Sequence, residues 1–319
     1  MRKGVDWIFF FIGFIVITLF LVLHARQTFV TNSSASQSVS KSRIYRNGLY
    51  GWPLQMIHYP TTNTLQRSKW AIGVIDTRID FNNKYLRNPH TTFVMGLPHR
   101  STLHGTMVAG ILSANGNGIS SPRGMLPGVK LVNIAISSRR GTSISSLIAA
   151  IHLAIHLHLR VVNISLGTHI NSRTLHNVVN EALHDGMCII AAAGNNSSKH
   201  DDYPAAYSGV IAVAAVNDRG RLAANSNYEP KMTIGAPGLD LLTTSSSKNS
   251  VTWFSGSSAA TPIVTSVCVS LLNKYPQLKP YELQRILLES AQRPVHQTQN
   301  IPIIDYKKAL LLIRHNGML

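Results

Sequence analysis

Short apolar runs recur through the middle of the chain, each closed by a small or polar residue. Residues 70–75 run into Asp76, and the same form returns at 130–136, 160–165, 187–193 and 210–216. Continuous runs of this kind predict strands buried on both faces, as in a parallel sheet. Between them, residues 105–113, 143–159 and 172–185 carry apolar positions at helical spacing, the arrangement of successive βαβ units. Two further amphipathic helices are expected at 279–291 and 305–314. A crowd of small residues, 254–262, leads into the apolar run 263–272 and predicts a turn opening a buried helix, with Pro262 in its first turn, where backbone N–H groups have no intrahelical partner. The fold class is therefore α/β, with a central, mostly parallel sheet, helices on both faces and no internal repeat.

The amino terminus follows a different pattern. Residues 7–23 form an uncharged run long enough to cross a bilayer with little tilt. Arg2 and Lys3 stand on one side and Arg26 alone on the other, which favours a cytoplasmic amino terminus and an exported body. The residues just after the run offer no small-x-small cleavage site, so one uncleaved transmembrane helix is expected; cleavage near Ser33-Ser34-Ala35 would make the protein secreted. Residues 31–42 are Ser-rich and polar, a linker. The expected organisation is an anchor or signal segment over 1–30, a polar linker and lead-in over 31–64, and the α/β domain over 65–319.

Charge narrows the partners. Lys and Arg number 30 against 13 Asp and Glu, a net charge of +17. The basic residues are scattered from Arg2 to Arg314 without a block, so no nucleic-acid partner is expected; an anionic membrane surface and an acidic polymer such as a cell wall both stay open. Cys188 and Cys268 sit inside apolar runs and read as buried free thiols. His152, His156 and His158 lack Cys or carboxylate companions and read as surface residues, so no metal site is assigned. A monomer is expected.

Sites in open α/β sheets form past the carboxyl ends of the strands. Asp76 closes the first run, His104 opens the helix that begins at Gly105, Asn195 leaves the 187–193 run, and Ser258 stands at the start of the buried helix. Each has a plain structural reading: Asp76 as a turn cap, His104 as a packed histidine, Asn195 as a left-handed turn residue, Ser258 as a helix cap. Taken together they supply an orienting carboxylate, a general base, an oxyanion donor and a nucleophile.

The stretches 74–77 (Val-Ile-Asp-Thr), 104–106 (His-Gly-Thr), 163–167 (Asn-Ile-Ser-Leu-Gly), 191–195 (Ala-Ala-Ala-Gly-Asn) and 256–262 (Gly-Ser-Ser-Ala-Ala-Thr-Pro) resemble, in order, the signature blocks of the subtilisin-like serine proteases. The resemblance covers about 70–291, and 303–309 resembles the closing helix of the same domain. It implies a three-layer subtilisin-like fold and a serine endopeptidase in which Asp76 orients the imidazole, His104 is the base, Ser258 the nucleophile and Asn195 a donor to the oxyanion. Ser165, Leu166 and Gly167 would pair with the substrate backbone, Gly141 would begin the opposite edge, and Ala193 and Gly194 would line the substrate site. Asp202, just before Tyr203-Pro204, would lie at the floor of the pocket for the residue preceding the scissile bond (P1), giving a preference for basic residues. Arg78, Met107 and Ser257 depart from the family pattern without removing a catalytic atom. No cofactor is expected to be required. Calcium is poorly supported in a chain this short of carboxylates, the Asn115-Gly116-Asn117-Gly118 loop being its one candidate source of oxygens. Only about 45 residues separate the apolar run from Trp70, shorter than an ordinary inhibitory prodomain, so folding without a cleaved chaperone segment is expected. A membrane-tethered processing protease acting on a peptide or protein follows. The competing reading is a catalytically silent scaffold that binds peptide, with Arg78 beside the triad carboxylate.

Overall fold

The structure is a computed structural model that describes residues 48–61, 68–87, 92–93, 102–136, 142–230, 232–246, 250–293 and 301–315. The apolar run 7–23 and Gly141 lie outside the described residues. Among the described residues no helix is long and apolar enough to cross a membrane.

Seven strands form one parallel sheet: β1 (Ile72–Asp76), β2 (Thr92–Phe93), β3 (Leu131–Ala135), β4 (Val161–Ile164), β5 (Cys188–Ala192), β6 (Ile211–Val216) and β7 (Thr233–Pro237). Their order is β2-β3-β1-β4-β5-β6-β7. Strand alternation sends successive side chains to opposite faces. Val74, Val161, Ile190 and Val213 join one buried cluster, while Ile75, Val162, Ile189 and Ala212 join the other. Both faces are thus covered, which is why these strands read as unbroken apolar runs. Helices α3 (Ile144–His156) and α4 (Arg173–His184) supply Leu147, Ile151, Val178 and Val179 to the second cluster. Helices α2 (Leu103–Ser113) and α5 (Ser257–Lys274) supply Val108, Ile111, Ile263 and Val267 to the first.

Helix α5 has no polar face, because every residue from Ser257 to Leu272 is buried. Pro262 lies inside it rather than in its first turn. A proline there cannot donate to the carbonyl four residues back, that of Ser258. Ser165 Oγ donates to that freed carbonyl instead, at 3.2 Å. An antiparallel hairpin, β8 (Leu241–Thr244) with β9 (Val251–Phe254), precedes α5. Helices α6 (Pro280–Ser290) and α7 (Tyr306–His315) follow it, as their spacing predicts.

The lead-in is packed rather than extended. Its short helix α1 (Trp52–Met56) carries Leu54 into the first cluster, with Leu49, Ile57 and Tyr59 beside it. Tyr306 N donates to Ile57 O at 2.9 Å, and His58 Nδ1 lies 3.0 Å from Asp305 Oδ2. Residues 48–59 thus belong to the body although they precede the boundary expected at 65.

Candidate active site

Asp76 ends β1, and His104 is the second residue of α2. His104 Nδ1 is 2.7 Å from Asp76 Oδ1. An ionised carboxylate only accepts, so the proton of this bond sits on Nδ1 and leaves Nε2 as the basic nitrogen. Thr77 N also donates to Oδ1, at 2.6 Å, whereas the buried Oδ2 has no partner among the described residues. Burial would lower the imidazole pKa, but the charge of Asp76 and its hydrogen bond outweigh burial and hold it above the usual 6.5. Phe254 packs edge-on to the ring, centroids 5.4 Å apart.

What keeps His104 against Asp76 is a close approach of two backbones. A Cβ on Gly105 would fall 2.2 Å from Thr77 O, so only glycine lets α2 start here. Gly105 N then donates to Thr77 Oγ1 at 2.7 Å. Asn133, the polar residue in the β3 run, braces the same loop: its Oδ1 accepts from Ile79 N at 3.0 Å, and its Nδ2 reaches Val74 O and Thr77 O, both at 3.3 Å. Arg78, between these held residues, is exposed.

Ser258 occupies the first turn of α5 at the carboxyl end of β4. Its Oγ donates to Ser165 O at 2.9 Å. Thr265 Oγ1 donates to Asn163 Oδ1, and Asn163 Nδ2 to Ser165 Oγ, both at 3.0 Å, so a chain of polar contacts ties α5 to the strand end. Asn195 sits beside the same turn: its Oδ1 accepts from Ser257 N at 2.9 Å. With that oxygen engaged, the amide NH2 remains as a donor. The backbone N–H of Ser258 lies in the first turn of α5, where N–H groups have no intrahelical partner, at the positive end of the helix.

Three segments meet beside Ser258. Thr168 and Tyr203 exchange backbone hydrogen bonds of 2.9 and 2.8 Å, and Asp202 N donates to Ala193 O at 2.7 Å. Asp202 is thereby set against Gly167 and Gly194. A Cβ on Gly194, whose φ is +108°, would meet Asp202 Oδ2 at 2.5 Å. Asn227, which no sequence signal singled out, holds the group: its Oδ1 accepts from Asn196 N and Ser198 N, at 2.8 and 3.0 Å, and its Nδ2 donates to Ala193 O and Asp202 Oδ1. Ser165 and Ala193 are buried, and Leu166 and Gly167 half-buried.

The Asn115–Gly118 loop does not fit a cation. Asn117 Oδ1 already accepts from Ile119 N, Ser120 N and Ser121 Oγ at 2.9 to 3.0 Å. Gly116 O accepts from Arg123 Nη1 at 3.0 Å. Arg123 also donates through Nε to Tyr50 Oη at 3.1 Å and lies 5.6 Å from that ring's centre. A guanidinium thus already supplies positive charge to the loop.

The carboxyl edge of the parallel sheet thus carries Asp76, His104, Asn195 and Ser258, the residue types that a serine-hydrolase site uses. Residues 67–305 match the Subtilase family, and the chain belongs to that family. It is 34% identical over 223 residues to the thermostable alkaline protease of Halalkalibacterium halodurans, covering 69% of this chain and 61% of that protein. To the thermophilic serine proteinase of a Bacillus species it is 32% identical, covering 80% of this chain and 64% of that one. The chain therefore spans less than two thirds of the length of either relative. Among solved structures, the protease domain of PatA superposes with a TM-score of 0.73 at 25% identity, covering 81% of this chain and 100% of that domain.

Proposed function

We propose that the protein is a serine endopeptidase that cleaves peptide or protein substrates through Asp76, His104 and Ser258, with Asn195 Nδ2 and Ser258 N stabilising the oxyanion. The observation that carries this reading is the 2.7 Å contact between His104 Nδ1 and Asp76 Oδ1, which leaves Nε2 basic. For attack, Ser258 Oγ turns from Ser165 O to His104 Nε2 and loses its proton there as it bonds to the scissile carbonyl. The imidazolium then passes that proton to the leaving amine. Substrate adds a strand along Ser165, Leu166 and Gly167, and its P1 side chain enters between Gly167, Ala193 and Gly194 toward Asp202. A carboxylate there favours Arg and Lys. The apolar run 7–23 tethers the enzyme to a membrane with its catalytic body exported, an arrangement suited to processing.

A serine-directed fluorophosphonate tests the chemistry. It is expected to label the wild type and not Ser258→Ala, and peptide hydrolysis is expected to be lost with the label. An unlabelled but folded wild type would instead support the silent scaffold.

A further inference from the structure

Asp202 is not an open carboxylate. Its Oδ1 is 2.7 Å from His169 Nδ1 and 3.3 Å from Asn227 Nδ2, while its Oδ2 lies against Gly194 and Gly167. The Asp202 side chain is 13% exposed, but the imidazole paired with it is 70% exposed. His169 lies two residues past the segment that would pair with substrate, and its bond to Asp202 sets its ring at the rim of the proposed P1 pocket. Asp201, the residue before it, is buried and hydrogen-bonded to Thr233 at 2.6 Å.

Arginine and lysine use a carboxylate differently. A guanidinium binds best as a fork, two parallel N–H groups on two oxygens, whereas an ammonium is a point charge satisfied by one. With Oδ1 shared between His169 and Asn227, the fork has no second oxygen. We infer that His169 is a specificity-determining residue of the P1 pocket: by occupying Asp202 Oδ1 it disfavours arginine relative to lysine. This rests on the reading of Asp202 as the P1 acid. His169 does not touch the reacting atoms, and its exposure lets a substitution free Oδ1 without opening the core.

The test compares kcat/KM on peptides differing only at P1 (Arg, Lys or Leu) for wild type, His169→Ala, Asp202→Asn and the double variant. Fluorophosphonate titration of Ser258 normalises each to its folded, competent sites. In His169→Ala the Arg-to-Lys ratio is expected to rise about two- to fivefold, the scale of one partly exposed ion pair. On the Asp202→Asn background the same change is expected to leave the ratio unmoved. An unchanged ratio in His169→Ala, or an equal rise on both backgrounds, would overturn the inference. The P1 reading fails separately, if Asp202→Asn leaves the preference for basic residues over Leu as it was in the wild type.

Discussion

The His104 ring is pulled in opposite directions, downward in pKa by burial and upward by Asp76, and the charge prevails. Catalysis needs the neutral ring, so raising its pKa extends the inactive, protonated form to higher pH. The acid limb of the kcat/KM profile is therefore expected to have its midpoint above 6.5. In Asp76→Asn the charge is gone while burial remains, so the residual activity is expected to show that limb at lower pH. Rates on one peptide between pH 5 and 9 decide it, and a limb at the same position in both proteins would refute the electrostatic account. The other polar residues around the site act by holding backbone. Asn133 and Asn227 each bind several main-chain groups and so position Asp76 and the Asn195 loop without touching the reacting atoms.

At the level of elements, helix starts and loops that look alike in sequence are held by different devices. α2 begins where it does because Gly105 admits Thr77 O, and α5 tolerates Pro262 because Ser165 Oγ takes up the carbonyl that proline leaves unbonded. In the 115–123 loop the device is Arg123, which joins Gly116 O to Tyr50 of the lead-in. Chelation is therefore expected to leave the melting temperature of the wild type within about a degree of its value in calcium. Arg123→Ala removes the bonds to Gly116 O and Tyr50 Oη from a half-buried group, a loss of about 1–3 kcal/mol, or several degrees in Tm. Calorimetry of the Ser258→Ala protein, which cannot digest itself, compares these directly. A fall of many degrees in EDTA would mean that a metal stabilises the protein after all.

Across the whole molecule, stability is expected to depend on pH through Asp201. Burial pushes its carboxyl up to about 7, against the opposing hydrogen bond from Thr233. Below 3.8, the ordinary value, Asp201 is protonated folded or unfolded. Between 3.8 and about 7 the unfolded chain releases the proton that the fold retains, so stability declines as pH rises and the loss is complete above about 7. Asp201→Asn, neutral throughout, is expected to flatten that decline in urea titrations at pH 5 and pH 8; an equal slope in both proteins would assign it elsewhere. The membrane tether is tested at the same scale. Full-length protein is expected to stay in the pellet after alkaline carbonate washing, and a soluble product beginning near Ser36 would reveal a cleaved signal.

Strands β1, β3, β4, β5 and β6 were legible because burial on two faces demands unbroken apolar runs, and α3 and α4 because one face of each must stay polar. The positions of Asp76, His104, Asn195 and Ser258 were legible too, since Asp76 closes β1, Asn195 lies past β5, and His104 and Ser258 stand in the first turns of α2 and α5. Other features depend on partners distant in the chain. β7 carries Thr and Gly among its apolar residues and gains its place by pairing with β6 on one side and residues 302–304 on the other. Nothing local marks Asn227 as the clamp on Ala193 and Asp202, or Arg123 as the cation of its loop, because hydrogen bonds across 25 to 73 residues leave no periodicity. His169 is the plainest case. In sequence it is one histidine among 14, and only the pairing of Thr168 with Tyr203 sets its ring on the carboxylate of Asp202.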